Sequence, residues 1–448
     1  MCRFKPSLVE LLLFAAYLVL FAWLVTRTRF FTASGLTASQ LVIVFLLKVM
    51  AGILYGWIGV WYGQVGKMMD TWAYHYESLT ECRTLLTKPG VFFTDIFHNT
   101  YTNGYTRFLA VENSWWNDLK GSFIIKLLAV FDVFSFGNYY VNVIFYSFLT
   151  MFGPMALYRV MKDVFPGRQL PILLAIFLVP SVLFWTSGLH KEGIIFFGLC
   201  LLVYQFYFGL KESRFPLWRI LTFAGGLLTV LVMRNFLIIP LLPALAAWIL
   251  SVKLKQKPWV VFVALYALFV LFFFTARFIH PRLNFPEGVV ERQEAFLKLG
   301  GGSAVPVQKL EPTFSSFVAC APQAFALSVI RPYPTDVRHL LSLAASLEIN
   351  FLLLLVILFL VYRKNGVPLS SFLLFCLFFS FSVLMMIGYS VDVLGAIVRY
   401  RSIVLSFLIV PVVAMTNWSR VANLFMGDMK KEQYPQDNRQ GVTQRRQA

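Results

Sequence analysis

Three short stretches of the chain gather side chains able to do acid–base or anion chemistry. The first is Asp70-Thr-Trp-Ala-Tyr-His-Tyr-Glu77. On a helix, Asp70, Tyr74 and Glu77 fall at i, i+4 and i+7 and share a face. An aspartate shielded by aromatic neighbours is suited to general-base work, because partial desolvation raises a carboxyl pKa. The same residue also suits a plain helix cap, with Tyr and Trp at a membrane interface. The second stretch is Pro180-Ser-Val-Leu-Phe-Trp-Thr-Ser-Gly-Leu-His-Lys-Glu192, which turns through Ser187-Gly188 into His190, Lys191 and Glu192. Lys191 can hold a phosphate as a point charge; the alternative is a solvated hairpin with a local Lys–Glu pair. The third is Val398-Arg399-Tyr-Arg401. Arginine matches the geometry of phosphate in bidentate contact, although two arginines there also suit snorkelling to headgroups.

Four isolated ionisable positions accompany these: Glu348, Arg331, the pair Arg234-Asn235, and Lys48. Charges inside apolar segments are costly and by default functional, or partners of one another. Lys48 is expected to snorkel to the nearer surface. The five cysteines are Cys2, Cys82, Cys200, Cys320 and Cys376, with no CxxC spacing. Neither a zinc knuckle nor a redox pair follows. Cys82 and Cys320 are candidates for a disulfide only if both lie outside the cytosol.

The elements that must position these residues are membrane helices. Of the 448 residues 59% are hydrophobic and 13% charged, and the mean hydropathy is +0.72. Soluble domains are about a quarter charged, so a water-soluble domain and a disordered chain are both excluded. The apolar residues come in long runs rather than strict alternation, which excludes an outer-membrane barrel. An all-α, polytopic helical membrane protein is expected, with spans at 8–25, 41–62, 138–158, 170–186, 193–210, 219–233, 235–252, 259–276, 341–362, 370–388 and 402–418, eleven in all. The first carries Glu10 and is followed by Arg27 and Arg29; it reads as a retained span rather than a cleaved signal.

The net charge of +18 reads as cytoplasmic loops and anionic headgroups rather than nucleic acid. Lys and Arg concentrate in alternate loops: Arg27 and Arg29; Arg159, Lys162 and Arg168; Lys211, Arg214 and Arg219; Lys253, Lys255 and Lys257; Arg363 and Lys364; and the tail. The positive-inside rule then places the N-terminus outside and the C-terminus in the cytoplasm. Two long loops, 63–137 and 277–340, fall outside with all five histidines, His75, His98, His190, His280 and His339. Residues 71–86, 89–98, 122–133 and 314–330 read as amphipathic helices in those loops. Gly300-Gly-Gly-Ser303 reads as a break. The chain divides into a membrane-embedded domain, 1–426, and a disordered basic tail, 427–448.

Taken together these stretches resemble the polytopic glycosyltransferases of the GT-C fold. The likeness lies in the Asp70–Tyr74 segment opening a large first loop, in Pro180-Ser-x-x-Phe-Trp-x-Ser-Gly-x-x-Lys-Glu192, and in Arg399-Tyr-Arg401 before an apolar, Pro411-containing last span. The last is similar to a segment of the aminoarabinose and mannosyl transferase branches. The resemblance implies an inverting transfer from a polyprenyl-phosphate-linked sugar donor to a glycolipid or glycan acceptor, in the plasma (inner) membrane. It implies Asp70 as base, and Lys191, Arg399 and Arg401 on the departing phosphate. Glu192 would orient Lys191 or bond the sugar, with Tyr74, His190 and Arg331 as further substrate contacts. Two departures stand out: the Asp segment follows the second span rather than the first, and no second acid adjoins Asp70 to make a metal pair. Neither a metal nor another cofactor is therefore expected. Rival readings are a polysaccharide polymerase, a transporter or flippase, and a non-catalytic scaffold. A transporter would favour repeats and helices broken at the midplane.

Overall fold

The computed structural model describes residues 7–66, 70–98, 115–254, 256–364 and 369–423. The basic tail therefore lies outside the described residues. What is described forms helices joined by turns, with no strand and two isolated bridges, Ala304 with Val393 and Arg363 with Thr416. In chain order the main helices are α1 (Leu8–Arg27), α2 (Ala38–Gly66), α3 (Asp70–Thr87), α4 (Trp115–Ser135), α5 (Tyr139–Val164), α6 (Gln169–Phe177), α7 (Pro180–Ser187) and α8 (Lys191–Lys211). They continue with α9 (Leu217–Met233), α10 (Ile238–Lys253), α11 (Pro258–Ile279), α12 (Phe285–Leu299), α13 (Phe314–Phe325), α14 (Leu340–Tyr362), α15 (Ser371–Ser390) and α16 (Leu394–Met415). Among the described residues, nine helices are long and apolar enough to cross a membrane, or ten if α6 and α7 count as one bent span. This is a multi-pass helical membrane protein, since in hydrocarbon only helices and closed barrels satisfy their own backbones.

Two expected spans take a different form. Residues 170–186 are not one rod but α6 and α7, bent by 55°. Pro180 begins α7, and proline cannot donate the backbone bond that would continue α6. Residues 219–233 form α9, 17 residues long, too short to meet the same length criterion. The last span begins earlier than the apolar run does, at Leu394. Arg399 and Arg401 thus lie inside a helix rather than before it.

The core sits around α5, α8 and α16. Of their apolar stretches 78%, 72% and 72% are buried in the protein, against 6% for α1 and 17% for α11, which form the periphery. Close approach of backbones replaces the hydrophobic drive that lipid does not supply. At the α8–α9 crossing a Cβ on Gly226 would stand 2.6 Å from the Gly198 carbonyl oxygen. Local sequence sets several helix starts. Ser7 and Glu10 form a capping box on α1, and Asn138 accepts from the Tyr140 and Val141 amides at the head of α5.

The loop helices expected over 71–86, 122–133 and 314–330 are present as α3, α4 and α13 with its π-helical continuation Ala326–Ile330; the segment expected over 89–98 is the short helix Pro89–Thr94 with a 3-10 turn to Phe97. Helix α12 was not anticipated. Its start is nonetheless written locally: the Asn284 side chain caps the Glu287 amide, and Gly300 ends it at φ 52°. Cys82 and Cys320 are free thiols in separate clusters, one with Phe92 and Ala129, the other with Val289 and Phe317. The candidate disulfide is absent.

Candidate functional site

The site forms where α3, the α7–α8 hairpin, the α9–α10 turn and α16 meet. Its frame is α2. Trp72 donates its indole N–H to the Gly56 carbonyl at 2.9 Å and stacks on Tyr139 at 4.1 Å, while Thr71 and Tyr139 hydroxyls lie 2.8 Å apart. The start of α3 is therefore folded back against α2 at Gly56, and α2 runs about 15 Å farther to Gly66 at about 1.5 Å per residue. The α7–α8 hairpin reaches the same depth. Tyr55 packs on Phe184 and Trp185 at 5.0 and 5.6 Å. A Cβ on Gly188 would collide with the Tyr55 ring, and one on Gly193 with the Tyr146 hydroxyl.

This arrangement brings Asp70, His190, Glu192 and Arg399 into contact. Asp70 Oδ2 stands 3.1 Å from His190 Nε2 and accepts from Arg399 Nη1 at 3.2 Å. Glu192, fully buried, accepts from Arg399 Nε at 2.8 Å and from Arg234 Nη2 at 2.5 Å through Oε1; its Oε2 meets His190 Nδ1. Arg399 thus bridges both acids, and His190 joins them from the other side. Tyr74 flanks His190 at 5.8 Å between ring centroids, and Arg399 lies 5.7 Å from the Trp185 ring. Lys191 acts electrostatically on the same Asp70, Arg399 and Arg234.

The expected direction of the Asp70 shift is reversed. Burial does act to raise its pKa, as the aromatic surroundings suggested. The hydrogen bond and charge of His190, then Arg399 and Lys191, outweigh burial and hold the group well below the usual carboxylate range.

Arg401 and Arg331 do not join this group. Two residues apart on a helix, Arg399 and Arg401 face nearly opposite ways. Arg401 is buried and donates from Nη1 to the Arg331 carbonyl at 2.6 Å, with Glu348 the acid acting on it. The Arg331 guanidinium is taken by Asp336 through two bonds of 3.1 Å. Glu348 in turn accepts the Ser181 amide at 2.5 Å, which anchors the start of α7. A second polar centre thus holds the helix break. Lys48, expected to snorkel, is instead buried, and its ammonium donates to the Thr186 carbonyl at 2.7 Å and to Ser187 Oγ at 3.3 Å.

Three cations at the site were not among its expected members: Arg234, Arg292, and Lys120 of α4, which acts on Lys191, Arg234 and Arg292. Arg234 stood out in the sequence only as a charge separating two spans. Arg292 of α12 carried no signal, being one charge in a charge-rich loop. Arg234 packs on the Tyr400 ring at 4.1 Å and Arg292 on Phe236 at 4.0 Å. Beyond Glu77 an open cavity of about 280 Å³ is lined by Glu77, Thr80, Glu81, Asp95, Ser122 and Lys126. Among the described residues no group of His, Cys, Asp and Glu is arranged to hold a metal ion. No family model, curated protein or solved structure matches the chain.

Proposed function

We propose that the chain is a membrane glycosyltransferase that moves a sugar from a polyprenyl-phosphate carrier to a glycan or glycolipid acceptor at the outer face of the plasma membrane, in cell-surface polysaccharide or glycolipid assembly. The observation that carries this reading is the convergence of Asp70, His190, Glu192 and Arg399 from segments far apart in sequence. The acceptor hydroxyl oxygen attacks the anomeric carbon. The carbon–oxygen bond to the phosphate breaks, its electron pair staying on the phosphate, and the hydroxyl proton passes to Asp70. Fixed cations at the developing phosphate charge stabilise that transition state.

The low pKa of Asp70 comes from His190 first and Arg399 second, and substrate acts on the second of these. Without substrate, Arg399 spans Asp70 and Glu192. An entering phosphate competes for the same guanidinium, and Asp70 then regains part of its basicity as that cation turns away. The acid-lined cavity past Glu77 offers carboxylates for acceptor hydroxyls. Asp70→Asn keeps the shape of the side chain and removes its basic oxygen. Sugar transfer by purified variant in lipid should fall about 10²–10⁴-fold, with the helical circular-dichroism signal unchanged. Normal transfer by a well-folded Asp70→Asn protein would remove the residue from the mechanism.

A transporter or flippase is the second reading, favoured by the bent α6–α7 pair and by charges sunk between helices. Movement of intact lipid-linked sugar across vesicles, with no glycosidic bond formed, would select it.

A further inference from the structure

We propose that the lipid carrier is held through two phosphates rather than one, with Lys191, Arg234, Arg292 and Arg399 forming a diphosphate cradle. The inference rests on the transferase reading and narrows its donor. Four cations meet here from four separate elements, Lys191 at the head of α8, Arg234 after α9, Arg292 on α12 and Arg399 on α16, with Lys120 of α4 acting on Lys191, Arg234 and Arg292 as a fifth. Two carboxylates bond within the cluster, and both are already shared. Glu192 takes Arg234, Arg399 and His190; Asp70 takes Arg399 and His190. Lys191 and Arg292 pair with neither.

Aromatic faces hold the guanidinium groups together instead of acids. Tyr400 lies 5.7 Å from Arg399 and 4.1 Å from Arg234; Phe236 lies 5.6 Å from Arg234 and 4.0 Å from Arg292. A ring face attracts a cation without neutralising it, so the row keeps its charge for a removable anion. Arg234 is 4% exposed, and its Nη1 has no hydrogen-bond partner among the described residues. Leaving such a donor unbonded is costly. Burial, together with the like charge of Arg234, pushes the Arg292 guanidinium down to about 10. Both features mark a site relieved by an anion.

Charge decides how many phosphates. A sugar joined to lipid through one phosphate carries a single negative charge at neutral pH; joined through two, it carries two. With Lys120 counted, five cations against two carboxylates leave a surplus of three positive charges, nearer the two negative charges of the diphosphate than the one of the monophosphate. The row also runs from Arg399, beside Asp70, through Arg234 to Arg292. The phosphate attached to sugar would lie at the Arg399 end and the lipid-side phosphate towards Arg292.

The test is equilibrium binding, to the full chain in lipid nanodiscs, of one sugar joined to polyprenol of one chain length either through a diphosphate or through a monophosphate. Wild type should prefer the diphosphate by about tenfold to a hundredfold, the range expected for charge-assisted bonds. Arg292→Gln should remove most of that preference while changing monophosphate binding less than about threefold, and Arg292→Lys should largely keep it. Equal affinity of wild type for both lipids, no binding of either, or equal weakening of both by Arg292→Gln would overturn the proposal. If Arg292→Gln does not fold, the wild-type preference and Arg292→Lys decide. The two readings fail separately. Diphosphate preference without any sugar transfer would overturn the transferase and leave the cradle, whereas transfer from a monophosphate donor alone would keep the transferase and overturn the cradle.

Discussion

At the scale of single residues, the site is set by which cation bonds which acid. Asp70 is half-exposed yet carries bonds to His190 and Arg399. Its pKa is depressed in the folded state, so ionised Asp70 stabilises the fold at pH values above the unfolded carboxyl pKa of about 3.9, and that contribution is lost as pH falls through the lower folded value. The difference in melting temperature between wild type and Asp70→Asn should therefore stay level from about pH 8 to pH 5 and shrink only below about pH 4. A difference that vanished near pH 6 would mean an Asp70 with a raised pKa, as aromatic shielding alone would give. Arg399 and Arg401 illustrate the same dependence on partners. They are alike in type and two residues apart, yet one bridges the two site acids and the other, buried, bonds the Arg331 carbonyl.

At the scale of elements, the α7–α8 hairpin is the piece that brings His190 and Glu192 to Asp70 and Arg399. Three contacts hold it: Lys48 on Thr186 and Ser187, Glu348 on the Ser181 amide, and Tyr146 on the His190 carbonyl. Buried charges used this way are worth most as fixed positions, because removing one partner leaves the other unpaired. Gly188 and Gly193 let the turn pass Tyr55 and Tyr146. Gly193→Ala should force His190 away from Asp70. Transfer is expected to fall at least tenfold, with the helical circular-dichroism signal unchanged. Wild-type transfer by this variant would show that the hairpin can shift without disturbing the site.

At the scale of the whole molecule, orientation decides which compartment the site serves. We expect the loops carrying α3, α4 and α12 to face outward and the short basic loops to face the cytoplasm. Single cysteines placed near residues 85–95 and 295–303 should then react with an impermeant thiol reagent in intact cells, while cysteines at 253–257 should not. The reverse pattern would invert the protein and move the proposed reaction to the cytoplasmic face. The large lipid-facing surfaces of α1 and α11 leave the core of α5, α8 and α16 to fix the geometry.

The sequence by itself determined the class, most of the helices and the three stretches from which Asp70, His190, Glu192 and Arg399 come. Long apolar runs must cross a bilayer as helices whatever their neighbours, and caps such as Ser7, Asn138 and Asn284 are local. Charges set within or beside apolar runs were also legible, because their cost depends only on the segment in which they sit. Local pattern could not show that Pro180 breaks a span rather than merely following one, or that Lys48 reaches Thr186 instead of a membrane surface. Nor could it show that α3 folds back to Gly56, that Arg234 and Arg292 arrive from distant elements, or that Asp70 is held ionised. Each of these depends on which side chains from remote segments share one buried volume, where the balance between desolvation and neighbouring charge sets both pairing and pKa. Only the packing of the helices against one another decides that balance.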